Sequence, residues 1–253
     1  MKYKSLFVSD LHLGLNRCKI KELLSFLDSN EFENIFLVGD IFDWWKLSID
    51  WIWEDSYNLF IQKIFSLSLN GSNIYYSHGN HDDIFDYFIS GNSFVDLSNI
   101  AIAKDFVYES DYGRILITHG DKYDNLNKIT SKLFRRGAYL SRFGFIKQLA
   151  RLFNELFHEA EKRLFSFQKK KISFRDNLIN AALDNNCSAV ICGHLHSPEI
   201  DINKEVFYMN CGDYLDKQTC IVEDYQGSFK LLSEGEETKS VQMQKMRQTI
   251  RRN

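Results

Sequence analysis

Long hydrophobic runs, paired cysteines and internal repeats are all missing from this 253-residue chain. No apolar run reaches the ~20 residues that a membrane-spanning helix needs, and the N-terminus leads into a strand-like segment without the apolar stretch of a signal peptide. The five cysteines form no C-x-x-C pair, and their odd number without framework spacing favours reduced thiols. These absences argue against a membrane-spanning, secreted or disulfide-framework protein and predict a cytoplasmic location.

The composition is that of an ordinary globular protein. The chain is 44% hydrophobic and 15% aromatic, with a mean hydropathy of −0.31 and a formal net charge of −3, values that exclude disorder of the whole chain. Its length suits one large α/β domain with an insertion. We expect a single domain over residues 1–233, and a polar, basic tail over residues 234–253 that lacks a strand pattern.

Six short apolar runs, rich in β-branched and aromatic residues, each lead into a loop that carries Asp, Asn or His. They read SLFVSD, NIFLVGD, NIYYSHGNHD, RILITHGD, AVICGHLH and VFYMNCGD. Each pattern predicts a buried strand that ends in a polar loop. Between the first two runs KIKELLSFLDSN has helical periodicity, which predicts a β-α-β beginning. Later, CIVED and SFKLL predict a β-hairpin across YQG.

Residues 122–176 differ from the rest of the chain in charge. They contain 14 Lys or Arg against five Asp or Glu, a local net charge of +9. Apolar residues recur there at intervals of three and four between Leu140 and Leu164, as in an amphipathic helix. We therefore predict a basic helical insertion that can lie on an anionic membrane surface. The alternative is that its apolar stripe packs on the domain and its charges are simply solvated.

Metal-capable side chains follow five of the predicted strands. Two histidines at i and i+2, such as His194 and His196, project to the same side of an extended segment and suit a shared ligand. Each residue alone has a structural explanation, such as a helix cap, an Asx-turn or a packed core histidine. Five strand ends together are hard to explain in that way. The residues are Asp10, His12, Asp40, Asn80, His81, His119, His194 and His196.

The order of these residues, D-x-H, G-D-x-x-D, G-N-H-D, H and G-H-x-H, resembles the calcineurin-like metallophosphoesterase superfamily over nearly the whole chain. The resemblance implies an α/β (α+β) fold of four layers, a β-sandwich flanked by helices, with the motif loops meeting at one edge. It also implies two divalent metal ions. The first would be bound by Asp10, His12, Asp40 and His196, and the second by Asp40, Asn80, His119 and His194.

The implied ligands and catalytic groups fit metal-assisted phosphoester hydrolysis. Mixed oxygen and imidazole ligands suit Mn²⁺, which we expect first, or Fe²⁺ or Zn²⁺, and the lack of a thiolate disfavours a closed structural zinc site. A carboxylate such as Asp40 can bridge two ions. His81 would stabilise charge on the phosphoryl group or protonate the leaving oxygen. Asp82 would orient His81.

A narrower resemblance rests on GDIFDWW, THGDKYD, the basic segment and YMNCGDYLDKQTCIVED. These blocks are similar to those of the UDP-2,3-diacylglucosamine diphosphatase group, peripheral inner-membrane enzymes of lipid A synthesis that release UMP and 2,3-diacylglucosamine 1-phosphate. Well-studied members carry arginine where this chain has His81. The resemblance implies a nucleotide-lipid substrate and a place on the inner face of the cytoplasmic membrane. We expect Asn80, Lys162, Arg163 and Lys169 to contact this substrate.

Two other functions stay open at this point. One is a phosphodiesterase for nucleotides or other small phosphodiesters, whose phosphates the basic segment would hold. Nucleic acid itself is disfavoured as a partner, because the chain has no nucleic-acid-binding module and its net charge is acidic. The other is a non-catalytic metal-binding scaffold, which should have lost ligands, whereas none is missing here.

Overall fold

The computed structural model describes residues 1–47, 50, 52–85, 94–97, 99–111, 113–124, 167–201 and 206–242. The chain divides into two compact units, one formed by Met1–His119 with Ile179–Asn253 and the other by Gly120–Leu178. Most of the predicted basic insertion, residues 125–166, lies outside the described residues. In the second unit, a 3₁₀ turn at Asp121–Tyr123 and the first part of a helix are described.

Two β-sheets contain the strands of the first unit. The larger sheet has the strand order β13-β12-β11-β1-β2-β3-β5-β4, and the smaller sheet has the order β6-β7-β8-β10-β9. The strands are β1 Lys2–Val8, β2 Glu31–Val38, β3 Asn73–Ser77, β4 Phe94–Leu97, β5 Ile100–Ala103, β6 Asp105–Ser110, β7 Gly113–Thr118, β8 Ala189–Cys192, β9 Glu199–Asp201, β10 Phe207–Asn210, β11 Thr219–Glu223, β12 Ser228–Ser233 and β13 Glu236–Gln242. The helices are α1 Ile20–Ser29, α2 Trp44–Leu47, α3 Asp55–Leu69 and α4 Phe167–Asp184.

Alternating side chains divide the larger sheet between two hydrophobic cores. In β1, Leu6 and Val8 point to a core shared with α1 and α3, whereas Phe7 points to a second core between the sheets. Phe7 stacks there on Phe36 of β2, with ring centroids 4.7 Å apart, and Ile117 and Ile191 of the smaller sheet belong to the same core. This period-two alternation is what a strand packed on both faces requires. The predicted sandwich with flanking helices is confirmed.

Parallel strands bring the functional loops together. β1, β2 and β3 pair in parallel in the larger sheet, as do β7, β8 and β10 in the smaller sheet. The carboxyl ends of parallel strands lie at the same edge of a sheet, which is where α/β proteins place their ligands. The loops that follow these six strands carry the polar residues that the sequence analysis singled out.

One strand of the fold contradicts the sequence-based expectation, and four short strands have no counterpart in it. The tail was expected to lack a strand from residue 234, yet β13 pairs antiparallel with β12. The pairing is possible because Glu234 and Gly235, with φ of 53° and 83°, form a tight hairpin turn, and Val241 is buried. The short strands β4, β5, β6 and β9 were not predicted. None of the helices in the described ranges is long and apolar enough to cross a lipid bilayer.

Candidate metal centre

Unusual backbone conformations mark the loops at this sheet edge. Five of the eight described non-glycine residues with positive φ are predicted metal ligands, with φ between 48° and 68°. Each such conformation costs an L-residue about 1–3 kcal/mol and persists only where the surroundings impose it. The strain is therefore concentrated at one place. The five residues are Asp10, His12, Asp40, His194 and His196.

Hydrogen bonds between loops impose these conformations. The backbone N–H of Asp10 donates to the carbonyl of Gly39 at 3.0 Å, and that of His12 donates to the carbonyl of Asp40 at 2.9 Å. The loops after β1 and β2 are thus fastened to each other through the main chain. Their side chains are held in place before any ligand binds.

Gly193 allows the loop after β8 to approach the loop after β1. A methyl group at this position would collide with Ser9 Oγ and Asp10 Oδ2. The close approach lets the backbone N–H of His194 donate to Asp10 Oδ2 at 3.0 Å, while Ser9 Oγ donates to the same oxygen. Asp10 Oδ2 is therefore held by the protein.

One cluster of potential ligands, which we name site A, consists of Asp10, His12 and His196. The free oxygen of Asp10, Oδ1, lies 3.3 Å from His196 Nε2 and 3.7 Å from His12 Nε2. Asp10 is fully buried, and its Oδ1 makes no hydrogen bond among the described residues. Three ligand atoms from two loops therefore converge on one buried point.

A second cluster, named site B, consists of Asp40, His119 and His194. Asp40 Oδ2 lies 3.2 Å from His119 Nε2, and the rings of His119 and His194 meet edge to face with centroids 5.2 Å apart. The same Asp40 oxygen lies 3.9 Å from His12 Nε2 of site A. Asp40 thus faces both clusters, and the two sites are adjacent. Asn80 is buried in the loop after β3.

The Nδ1 atoms of three histidines show whether cations fit these clusters. We call Nδ1 the outer nitrogen, because Nε2 is the ring nitrogen that faces the cluster. His12 Nδ1 lies 3.4 Å from Asp43, His196 Nδ1 lies 3.6 Å from Asp213, and His119 Nδ1 donates to the carbonyl of Val38 at 3.1 Å. A neutral imidazole has one N–H, so donation from Nδ1 leaves the Nε2 lone pair facing a carboxylate. That arrangement is repulsive unless a positive charge, either a proton or a metal ion, lies between them. The residues present therefore fit divalent metal ions.

The carboxylates Asp43 and Asp213 are the functional residues that the sequence analysis missed. Both are buried, and each faces the outer nitrogen of a site A histidine. Asp43 is the second aspartate of the G-D-x-x-D pattern, so the sequence motif was sufficient to single it out. Asp213 follows β10 in N-C-G-D, another buried strand leading into a polar loop.

The electrostatics of the centre favour ionised carboxylates beside a cation. Burial by itself would raise the pKa of Asp40, but His119 and His81 outweigh burial and hold it well below the usual range. Asp10 follows the same pattern, since burial is outweighed chiefly by His196. Burial would lower the pKa of His12, but the nearby carboxylates of Asp10 and then Asp43 raise it well above its usual value. The pocket is therefore built for positive charge.

His81 is partly exposed and lies beside site A, with its ring centroid 4.6 Å from that of His12. Its backbone N–H donates to Asp40 Oδ1 at 2.8 Å, and its ring nitrogen Nδ1 lies 3.3 Å from Asp43 Oδ2. The ring of Trp45 covers the imidazole, with centroids 4.3 Å apart. With Nδ1 directed at a carboxylate, Nε2 is the nitrogen left to meet a ligand.

Asp82 does not have the partner that the sequence analysis gave it. Its carboxylate accepts hydrogen bonds from the backbone N–H groups of Ile41 and Gly79 and from the hydroxyl of Tyr76. Burial and then the charge of Asp40 raise the pKa of Asp82 to about 6. Asp82 thus ties the loops after β2 and β3 together, and the carboxylate that contacts the His81 ring is Asp43.

The structure does not describe the side chains of the other predicted substrate contacts. Lys162 and Arg163 are outside the described residues. Lys169 lies on α4, but its side chain is outside the described part of the structure. Among the predicted substrate-binding residues, the structure therefore describes the side chain of Asn80 alone.

Comparison with known proteins agrees with this geometry. A sequence model of the Calcineurin-like phosphoesterase family matches residues 3–198. The chain is 27% identical over 252 residues to the UDP-2,3-diacylglucosamine hydrolase of Haemophilus influenzae (strain PittGG), covering 91% of this chain and 99% of that protein.

Two further comparisons support less, because one covers only about half of the chain and the other has low sequence identity. The protein of the same name from Histophilus somni (strain 2336) is 31% identical over 126 residues, which is 47% of this chain, and the match spans about half of that relative, 49% of its length. Among solved structures, the phosphoesterase Yfce from E. coli aligns with a TM-score of 0.50 and 11% identity, covering 95% of this chain and 99% of that chain. That likeness concerns the fold alone.

Proposed function

The chain belongs to the calcineurin-like phosphoesterase family and is a metal-dependent hydrolase, and we propose that it cleaves the pyrophosphate of UDP-2,3-diacylglucosamine. The products would be UMP and 2,3-diacylglucosamine 1-phosphate, which makes the reaction a step of lipid A biosynthesis. The observation that carries the proposal is the pair of adjacent sites that both face Asp40. The named relatives support the choice of substrate.

The proposed cofactor is a pair of divalent ions, with Mn²⁺ as the first choice and Fe²⁺ or Zn²⁺ as alternatives, because oxygen and imidazole ligands suit all three. Such ions polarise phosphoryl oxygens, neutralise their charge and make water a stronger acid. The residues proposed to hold them are Asp10, His12, Asp40, Asn80, His119, His194 and His196.

The side chain proposed to act on the leaving group is His81. Water attacks the phosphorus nearer uridine, the bond from that phosphorus to the bridging oxygen breaks, and the bridging oxygen leaves with the lipid phosphate. His81 Nε2 hydrogen-bonds to the leaving oxygen or gives it a proton, while Asp43 holds Nδ1. Trp45 covers one face of the ring, which restricts its rotation and limits the access of bulk water.

Hydrolysis in H₂¹⁸O tests the reaction and the point of attack. The purified chain with Mn²⁺ is given UDP-2,3-diacylglucosamine and, in parallel, a generic bis-aryl phosphodiester. Label in UMP is the expected result. Label in the lipid phosphate alone would reverse the point of attack, and no turnover of the lipid beside rapid hydrolysis of the diester would reject the substrate.

A second candidate function is hydrolysis of nucleotides or other small, water-soluble phosphodiesters. It is favoured by His81, because arginine grips a phosphate through two parallel hydrogen bonds that a neutral imidazole cannot reproduce. The same paired assay separates the two candidates. A kcat/KM for the diester well above that for the nucleotide lipid would favour the second.

The proposed place of action is the inner face of the cytoplasmic membrane, where the substrate lipid would lie. The net charge of +9 in residues 122–176 supports this proposal, since each Lys or Arg near an anionic surface adds on the order of 1 kcal/mol at low salt. Co-sedimentation with anionic vesicles should therefore weaken with salt. It should also weaken when Arg135, Arg136, Lys169, Lys170 and Lys171 are neutralised, and unchanged binding would favour a solvated face.

A further inference from the structure

The loop Asp213–Lys217, which follows β10, lies against site A. Asp213 is buried, and its Oδ1 accepts the backbone N–H groups of Leu215, Asp216 and Lys217 at 3.0, 2.7 and 3.2 Å. Three donors fix this carboxylate in one orientation and use up one of its oxygens. The other oxygen, Oδ2, faces His196 Nδ1 at 3.6 Å.

The same loop contacts site A through the main chain. The ammonium of Lys217 donates to the carbonyl of His196, and the backbone N–H of Tyr214 donates to the carbonyl of Asp10 at 3.3 Å. The carbonyl of Tyr214 in turn accepts the N–H of Lys19 at 2.8 Å, just before α1. One loop therefore supports two of the three residues of site A.

His196 needs such support more than His12 and His119 do. Its side chain is 36% exposed, whereas those of His12 and His119 are 5% and 0% exposed. Close packing fixes a buried ring, but a partly exposed ring keeps rotational freedom unless a hydrogen-bonding partner holds it. Asp213 is the carboxylate that faces the outer nitrogen of this ring.

The loop lies outside the part of the chain that the family model matches, which ends at residue 198. We propose that Asp213 is a positioning residue that fixes the His196 ring with Nδ1–H toward Oδ2 and Nε2 toward Asp10, and so tunes cation binding at site A. The inference rests on the proposed function in so far as site A holds a divalent ion. Asp213 itself touches neither substrate nor ion.

Mn²⁺ titration of the full chain and its Asp213→Asn variant tests this role. Asparagine keeps an oxygen for the three backbone donors but removes the carboxylate. We expect the affinity of one of the two ions to fall by about 10–100-fold, the usual effect of losing such a partner, with the other unchanged. Asp216→Asn is the matched control, because that side chain is 69% exposed on the same loop and should have no effect.

Two results would overturn the role of Asp213: wild-type affinities at both sites in Asp213→Asn, or equal weakening of both. Nitrogen-15 NMR of the histidine rings in the wild type loaded with diamagnetic Zn²⁺ gives an independent readout, even if the variant does not fold. The Nδ1–H tautomer of His196 is expected, and the Nε2–H tautomer would contradict the proposal. Failure of the wild type to hydrolyse UDP-2,3-diacylglucosamine would reject the substrate but leave both measurements interpretable.

Discussion

Sites A and B use similar side chains but are supported in different ways. In site B, His119 is fully buried and its outer nitrogen is anchored to the main chain at Val38. In site A, the outer nitrogens of His12 and His196 face the side chains Asp43 and Asp213. A main-chain group at a strand end therefore supports site B, whereas site A depends on the carboxylates of two further side chains. Single substitutions that leave the fold intact should therefore weaken site A more readily.

Replacing Asp40 should abolish ion binding at both sites alike, because its Oδ2 faces histidines of both. For Asp40→Ala we expect loss of both ions and a fall in turnover on the order of 10⁴-fold or more, the scale seen when a central catalytic group is removed. Elemental analysis after Mn²⁺ reconstitution measures the ions. Asp28→Ala, at an exposed residue paired with Lys63, is the control. Retention of one tightly bound ion would show that Asp40 is not shared.

His81→Ala should lower kcat by roughly 10²–10⁴-fold, the usual range for a positioned acid or base, while both ions stay bound. The side chain is removed, but the backbone N–H that donates to Asp40 remains. Turnover should be compared on substrates with good and poor leaving groups. Unchanged turnover on the poor one would mean that the imidazole has no part in the reaction.

Asp43→Asn should weaken site A and spare site B. Asp43 Oδ2 lies within 3.4 Å of the Nδ1 atoms of both His12 and His81. We expect about 10–100-fold weaker binding of one ion, together with a lower kcat at saturating Mn²⁺ because His81 is less well oriented. Calorimetric titration and single-turnover kinetics separate the two effects. Weaker ion binding at site B with site A unchanged would contradict the proposed difference in support between the two sites.

Two glycines should perturb the sites separately and by the smallest amounts. A methyl group at Gly193 would meet Ser9 and Asp10 beside site A, and one at Gly79 would meet Asp40 and His119 beside site B. Each Gly→Ala change should lower the free energy of unfolding by about 1–3 kcal/mol through overpacking, which denaturant titration measures.

Mn²⁺ binding in the two glycine variants gives the site-specific readout. Gly193→Ala should weaken one ion, and Gly79→Ala should weaken the other more strongly, because the added methyl group meets His119 as well as the shared Asp40. Gly71→Ala is the control, because nothing lies within 4 Å of the added methyl group although φ there is 101°. Its cost should be conformational only, and an effect of this variant on ion binding would remove the steric explanation.

The sequence was most informative where strand pattern and chemistry coincide. The apolar runs predicted β1, β2, β3, β7, β8 and β10, and the parallel pairing of strands brings their carboxyl ends to one edge. Strands such as β9 and β13 escaped prediction because they are short or polar, and β13 is specified mainly by pairing with β12. Local pattern carries little information about a strand at the edge of a sheet.

The supporting carboxylate Asp213 could not be predicted for a different reason. Unlike Asp43, which belongs to the G-D-x-x-D pattern, Asp213 has no local feature that distinguishes it from aspartates that cap turns. Asp213 does cap a turn with one oxygen and faces His196 with the other. The second contact depends on two loops that are 17 residues apart meeting at the same edge, so it follows from tertiary structure alone.

The positive φ angles of five predicted ligands lower the stability of the fold, although these residues supply the side chains of the metal centre. At Asp10, His12, Asp40, His194 and His196, glycine would adopt the same backbone at little cost. Selection in the laboratory for thermal tolerance alone would therefore favour glycine at these positions and would erase the metal centre before it disturbed the sandwich. The chain keeps imidazoles and carboxylates there only as long as catalysis is also selected.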